Sequence, residues 1–200
     1  MFQSGTGLAL LGGRLAIDFA NAPSYPAAPF RGLSWEEFVL FLEASRVVSS
    51  ERGATLLTLS QTDPQTAQAV LSRATRLRDA LREVFGAMVR KQRVAPEWIA
   101  PINEVLRITE GHDELVQEGT GWRMEFMARE GGSDWLLAAV ARSAAEIVIE
   151  GPNAQLRTCA NLGCGLFFCD TSRTHRRRWC SIAVCGNRHK VASFARRRAS

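Results

Sequence analysis

Cysteine is absent from the first 158 positions of this 200-residue chain, and all five cysteines fall between Cys159 and Cys185. A scattered disulfide framework is therefore excluded, and a clustered set in a chain with no visible secretory leader predicts thiolates kept reduced in a cytoplasm. Long apolar runs are missing too: Gly12, Gly13, Arg14 and Asp18 interrupt the N-terminal apolar stretch, which also lacks a basic flank. Neither a signal peptide nor a membrane anchor is expected. Histidine is scarce, and His112, the one ahead of the cysteines, sits beside Asp113 and Glu114 in a predicted turn and reads as a surface residue. No nucleophile and base come within reach of each other in the sequence, so an enzyme is not expected.

Acid is nearly missing from one part of the chain. Residues 151–200 hold ten Arg and Lys against Asp170 alone, a charge of +9, so residues 1–150, with fifteen bases against nineteen acids, carry −4 and the whole +5. Such a reversal predicts separate jobs for an acidic body and a basic end. With 46% apolar residues the length suffices for one substantial core plus a small appendage that needs its own staple. We place the boundary at Gly151-Pro152, giving a body over residues 1–150 and a finger over 151–200.

The body reads as α+β and mainly helical. Leu15 to Ala20 forms a short strand or helix ahead of a proline-rich loop, and the spacing of Gly5, Gly7 and Gly12 does not fit a dinucleotide fingerprint. Ser34 and Glu37 make a capping box, and Asp63-Pro64 starts a helix of about seven turns whose stripe runs through Val70, Ala74, Leu77, Leu81, Val84, Phe85 and Met88. Arg73, Arg76, Arg78, Arg82 and Glu83 fall off that stripe, as a solvated face would. Pro96 opens another helix, a hairpin turns at Gly119-Thr120-Gly121, and Ser133 or Asp134 caps the helix that stops at Gly151. Tryptophan and methionine fall at core-like spacing. Asp18 and Asn21 either line a ligand site or serve as turn and cap residues.

The thiols are spaced C-x4-C-x4-C-x10-C-x4-C. Cys159, Cys164, Cys180 and Cys185 make two C-x4-C knuckles that suit one four-thiolate zinc ion per chain, a closed structural site with no open position for catalytic water. Gly163, Gly165 and Gly186 stand beside ligands, where positive φ is often needed. Cys169, after Phe167 and Phe168, reads as a small buried hydrophobe, and His189 stands as a rival ligand. The staple holds an arginine display: Arg173, Arg176, Arg177 and Arg178 lie between the knuckles, and Arg188, Lys190, Arg196, Arg197 and Arg198 lie on a helix from Asn187. Guanidinium forks match phosphate oxygens, so DNA is the expected partner, with Arg and Lys on phosphates and Asn187 or Arg188 reaching base edges. RNA binding or protein contact by the same zinc module, and a homodimer or a small-molecule effector at the body, stay open.

The segment from Arg157 to Arg198 closely resembles the CGNR zinc finger, whose signature is Cys185-Gly186-Asn187-Arg188 here. That family carries an N-terminal ABATE domain, and "LAIDFANA", "LRDALREVF" and "INEVL" are similar to its recurring segments. The resemblance implies a stress-related bacterial transcription regulator whose treble-clef-like or knuckle-type finger binds zinc and DNA, with the four cysteines above as ligands.

Overall fold

The computed structural model describes residues 10–22, 32–129 and 133–199; the proline-rich loop and the first two glycines of the rejected fingerprint lie outside them. The elements run α1 (Leu15–Asn21), α2 (Trp35–Ala44), α3 (Ser50–Thr62), α4 (Pro64–Val89), α5 (Pro96–Ile108), β1 (Gly111–Glu118), β2 (Gly121–Ala128), α6 (Ala138–Glu150), β3 (Leu156–Thr158), β4 (Phe167–Cys169) and α7 (Asn187–Ala199). Both capping signals hold. Ser34 accepts from the Glu37 amide while the Glu37 carboxylate accepts from the Ser34 amide, and Asp63 accepts from the Thr66 amide ahead of Pro64. α6 enters instead through a 3-10 turn over Asp134–Leu137, with no side-chain cap at Ser133, and ends at Gly151 with φ +55°.

α4 is the spine of the body. Its Leu77, Leu81 and Phe85 are fully buried, and α1, α2, α3 and α5 pack on it. Phe19 of α1 meets Phe41 at 5.1 Å and Phe38 at 6.2 Å between ring centres, and Trp35 donates its indole N–H to Leu56 O, tying α2 to α3. The arginines off the α4 stripe do not all face water. Arg76 reaches Glu104 at 2.9 Å on the surface, but Arg78 is buried and paired with Asp79. Arg82 is half-buried, donating to Ala20 O with its guanidinium 6.0 Å from the Phe167 ring centre.

The β1–β2 hairpin stands away from this core. Leu115, Trp122 and Met124 are 63%, 68% and 66% exposed, so tryptophan and methionine are not uniformly core residues: alternation gives the hairpin an apolar face, and among the described residues no second layer covers it. Arg142 holds its base through Asp113 at 2.5 Å, and His112 is exposed as expected.

The finger is joined to the body through β4, which packs on α1, and through β3, which packs on α4. β3 and β4 pair antiparallel, and the three residues of β4 divide by the two-residue period of a strand. Phe167 and Cys169 belong to the body core, whereas Phe168 belongs to a second core with Cys159, Leu166, Cys180 and Cys185. Phe167 stacks edge-on against Phe85 at 6.0 Å, and the Cys169 amide donates to Gly12 O. Asn21 completes the seam: its Nδ2 donates to Phe167 O at 2.8 Å and its Oδ1 accepts the Phe167 amide at 2.9 Å, both buried.

Asp18 and Asn21 are therefore structural rather than ligand-lining. The partly buried Asp18 carboxylate accepts the Gly12 amide at 2.7 Å, with the amides of Leu11 and Gly13 close by. Both glycines are required: a Cβ on Gly12 would stand 2.6 Å from Ile17 Cγ2, and Gly13 has φ +81°. Burial pushes the Asp18 carboxyl up to about 6 against the pull of these amides. A folded-state value above the unfolded one stabilises the fold at low pH, and that contribution is lost as pH rises through about 6. Relative to Asp18→Asn, the wild type is thus expected to gain stability as pH falls from about 7 to about 5, by on the order of 1–2 kcal/mol. Carboxyl carbon NMR should find the Asp18 midpoint near 6; a midpoint near 4 would contradict this.

Candidate metal centre and nucleic-acid interface

The turn of the β3–β4 hairpin carries the first knuckle. Cys159 follows β3, its amide donating to Leu166 O, and the Cys164 amide donates to Asn161 O, so the chain folds back within six residues. Gly165, at φ +65°, makes the return to β4. Gly163 and Gly186 are not among the positive-φ residues; a Cβ on Gly186 would reach Trp179 at 3.4 Å, ordinary contact. The second knuckle is a wide π turn over Ile182–Gly186, closed by the Gly186 amide on Ser181 O, and it delivers Cys185 directly ahead of α7.

The four Sγ atoms of Cys159, Cys164, Cys180 and Cys185 all lie within 4.8 Å of one another. Cys164 to Cys180 is 3.7 Å and Cys180 to Cys185 is 3.8 Å. A tetrahedron with Zn–S bonds of about 2.3 Å has edges of about 3.8 Å, so the donor set fits zinc in size, number and chemistry. Its electrostatics call for a cation. The Cys180 thiol is driven up by its hydrogen bond to Cys164 and by burial, Cys159 by burial, while Cys164, as acceptor from Cys180, is drawn down to about 5. Thiolates packed this closely repel one another, and a divalent ion, whose binding expels protons, offsets that repulsion.

Neither rival joins this group. Cys169 is buried on the body face of β4, its thiol pushed up by burial, and His189 is exposed on α7 with its ring 4.9 Å from that of Trp179. Asn161 was not singled out from sequence. Its Nδ2 donates to Cys185 Sγ at 3.5 Å and its Oδ1 accepts the Gly163 amide at 3.2 Å, so it orients a ligand from behind. An Asx residue two positions after the first cysteine of a knuckle is the signal that marks it.

Asp170, the lone acid of the finger, organises the loop between the knuckles. Its buried carboxylate accepts from the Ser172 amide and hydroxyl and the Arg177 amide, and pairs with Arg157 at 3.0 Å. Although burial opposes ionisation, these donors hold its carboxyl below the usual range. The acid is thus consumed internally. Arg177 is also drawn inward: its guanidinium donates to Trp179 O and Cys180 O and lies 4.7 Å from the Phe168 ring centre. Arg173, Arg176 and Arg178 are exposed, Arg178 resting 5.1 Å from the Trp179 ring centre. Asn187, Arg188 and Lys190 are exposed on the first turn of α7, with Asn187 Nδ2 donating to Ala183 O. The side chains of Arg196, Arg197 and Arg198 lie outside the described residues, and only their place on α7 is given.

Fold and site together define a helical body sealed to a C-terminal four-cysteine zinc finger. Residues 13–151 match the family model ABATE, described as "Putative stress-induced transcription regulator", and residues 155–198 match the CGNR zinc finger. The chain belongs to the ABATE family and carries a CGNR finger at its C-terminal end. A search of curated proteins finds no significant match.

Proposed function

We propose that this protein is a DNA-binding transcription regulator rather than an enzyme, working in the cytoplasm, with the finger as its DNA-binding surface. Cys159, Cys164, Cys180 and Cys185 hold one zinc ion, which supplies the folding free energy of a segment too small to order by itself. The observation that carries the reading is the charge of the finger: its one acid is buried and neutralised by Arg157, while Arg173, Arg176 and Arg178 on the loop and Arg188 and Lys190 on α7 are presented to solvent. Among the described residues no helix is long and apolar enough to cross a membrane.

Within this reading the exposed loop arginines take phosphates, and Arg177 braces the loop from below. With the Asn187 amide tied to Ala183, Arg188 is the better placed to form a forked contact with a guanine edge. Replacing Arg176 with Ala should weaken binding about equally on all duplexes and lower the log–log salt slope by about one unit. Arg188→Ala should cost about 1–3 kcal/mol on the preferred site and little on scrambled DNA. Fluorescence anisotropy across a salt series reads both; an unchanged slope in Arg176→Ala would count against phosphate contact by the loop.

A further inference from the structure

We propose that the groove between the end of α4 and the finger hairpin binds a small amphipathic organic anion, such as an aryl phosphate or aryl carboxylate, and that this ligand competes with DNA for Arg178. The groove has a volume of about 930 Å³, within the range of small-molecule sites. Met88, Val89, Pro152 and Leu156 give it apolar walls. Its charged lining is Lys91, Arg157, Arg177 and Arg178, with no acid among them, although the body as a whole is acidic.

Two of those cations are spoken for, Arg157 by Asp170 and Arg177 by the carbonyls of Trp179 and Cys180. Lys91 and Arg178 are exposed, and among the described residues neither has an ion-pair partner. Both line the groove, Lys91 from the body and Arg178 from the finger. The carbonyls that end α4 would repel an anion, but the Lys91 and Gln92 amides cap those of Met88 and Ala87, with Lys91 in the left-handed region at φ 55°. A sugar-phosphate backbone offers nothing to four apolar side chains, whereas a ring or short chain bearing one anionic group satisfies both halves of the lining.

Arg178 gives the groove its link to the finger surface. Its guanidinium lies over Trp179, which in turn stacks on His189 of α7, so a ligand that engages Arg178 disturbs the contact joining loop to helix. Coupling of this kind is reciprocal: DNA should weaken the anion by the factor the anion weakens DNA. This coupling rests on the DNA-binding reading, and ligand binding itself does not.

Calorimetry of the zinc-loaded full chain with phenyl phosphate, inorganic phosphate and benzyl alcohol tests the site. Phenyl phosphate should bind one to one and at least about ten-fold tighter than either of the others, and Lys91→Glu should weaken it by about ten-fold at unchanged melting temperature. Saturating phenyl phosphate should then weaken duplex binding by the wild type and not by Lys91→Glu, whose DNA affinity without the probe is retained. Equal binding of inorganic phosphate or benzyl alcohol, absence of binding, or displacement of DNA in both proteins alike would overturn the proposal. A chain that binds phenyl phosphate as stated but no duplex would instead count against the DNA-binding reading alone.

Discussion

Replacing Cys180 with Ser is expected to reduce zinc from one per chain to near zero and to unfold the finger. Cys180 is fully buried and its sulfur has neighbours at 3.7 and 3.8 Å, so a hydroxyl there removes a central donor and leaves the other three without the ion that lets them ionise together. Structural zinc binding is worth about 10–16 kcal/mol in small fingers, larger than the margin that keeps most domains folded. Cys169→Ser is the contrasting variant. Its sulfur belongs to the body core, so zinc should stay at full occupancy while stability falls by about 1–3 kcal/mol for burying a hydroxyl among apolar neighbours. Metal analysis with thermal melting separates the two outcomes, and a zinc-free Cys169→Ser with Cys180→Ser still loaded would reverse the assignment.

A fragment of residues 1–150 is expected to lose the cooperative transition of the full chain. From sequence alone a thiol-free body needs no staple and should fold unaided. The structure points the other way, because β4 fills the body core. Deleting a buried phenylalanine such as Phe167 costs about 3–5 kcal/mol, and leaving both polar atoms of Asn21 unpaired adds about 1–3 kcal/mol for each group that stays buried. That sum is comparable with the whole stability of an ordinary domain. Near-ultraviolet circular dichroism of the fragment should show weak aromatic packing and a broad melt, with Asn21→Ala in the full chain falling between the two. A fragment that melts sharply at the temperature of the full chain would show that the body core closes without β4. We propose that the Gly151-Pro152 boundary separates two sequence families but not two folding units.

Much of this could be read before any coordinates. The capping box at Ser34, the Asp63 cap, the α4 stripe, the hairpin at Gly119-Thr120-Gly121 and the paired thiol spacing rest on local rules, and local rules act within a few residues. What escaped reading was long-range. Nothing near Asn21 indicates that its amide meets the backbone of Phe167, 146 residues on, and nothing near Arg82 places it beside the same ring. α3 was missed because its helix is weakly patterned, with Gly53 and Leu56 as its buried residues. Arg177 looked equal to its neighbours because charge is visible in a sequence and the carbonyls that will consume it are not. The exposed Trp122 and Met124 misled in the opposite sense: an apolar residue on an alternating strand announces a face, and whether a second layer covers that face is decided elsewhere in the chain.

The central claim is that zinc turns a basic segment into a rigid DNA-binding surface. Fluorescence anisotropy of a duplex carrying a selected site against a scrambled one, over a salt series, with zinc-loaded and zinc-stripped protein, tests it most directly. The account predicts tight, strongly salt-dependent binding with site preference for the loaded protein, and weaker binding without preference for the stripped one, since the arginines remain but their arrangement does not. Indistinguishable affinities of the two forms for both duplexes at every salt concentration would contradict it.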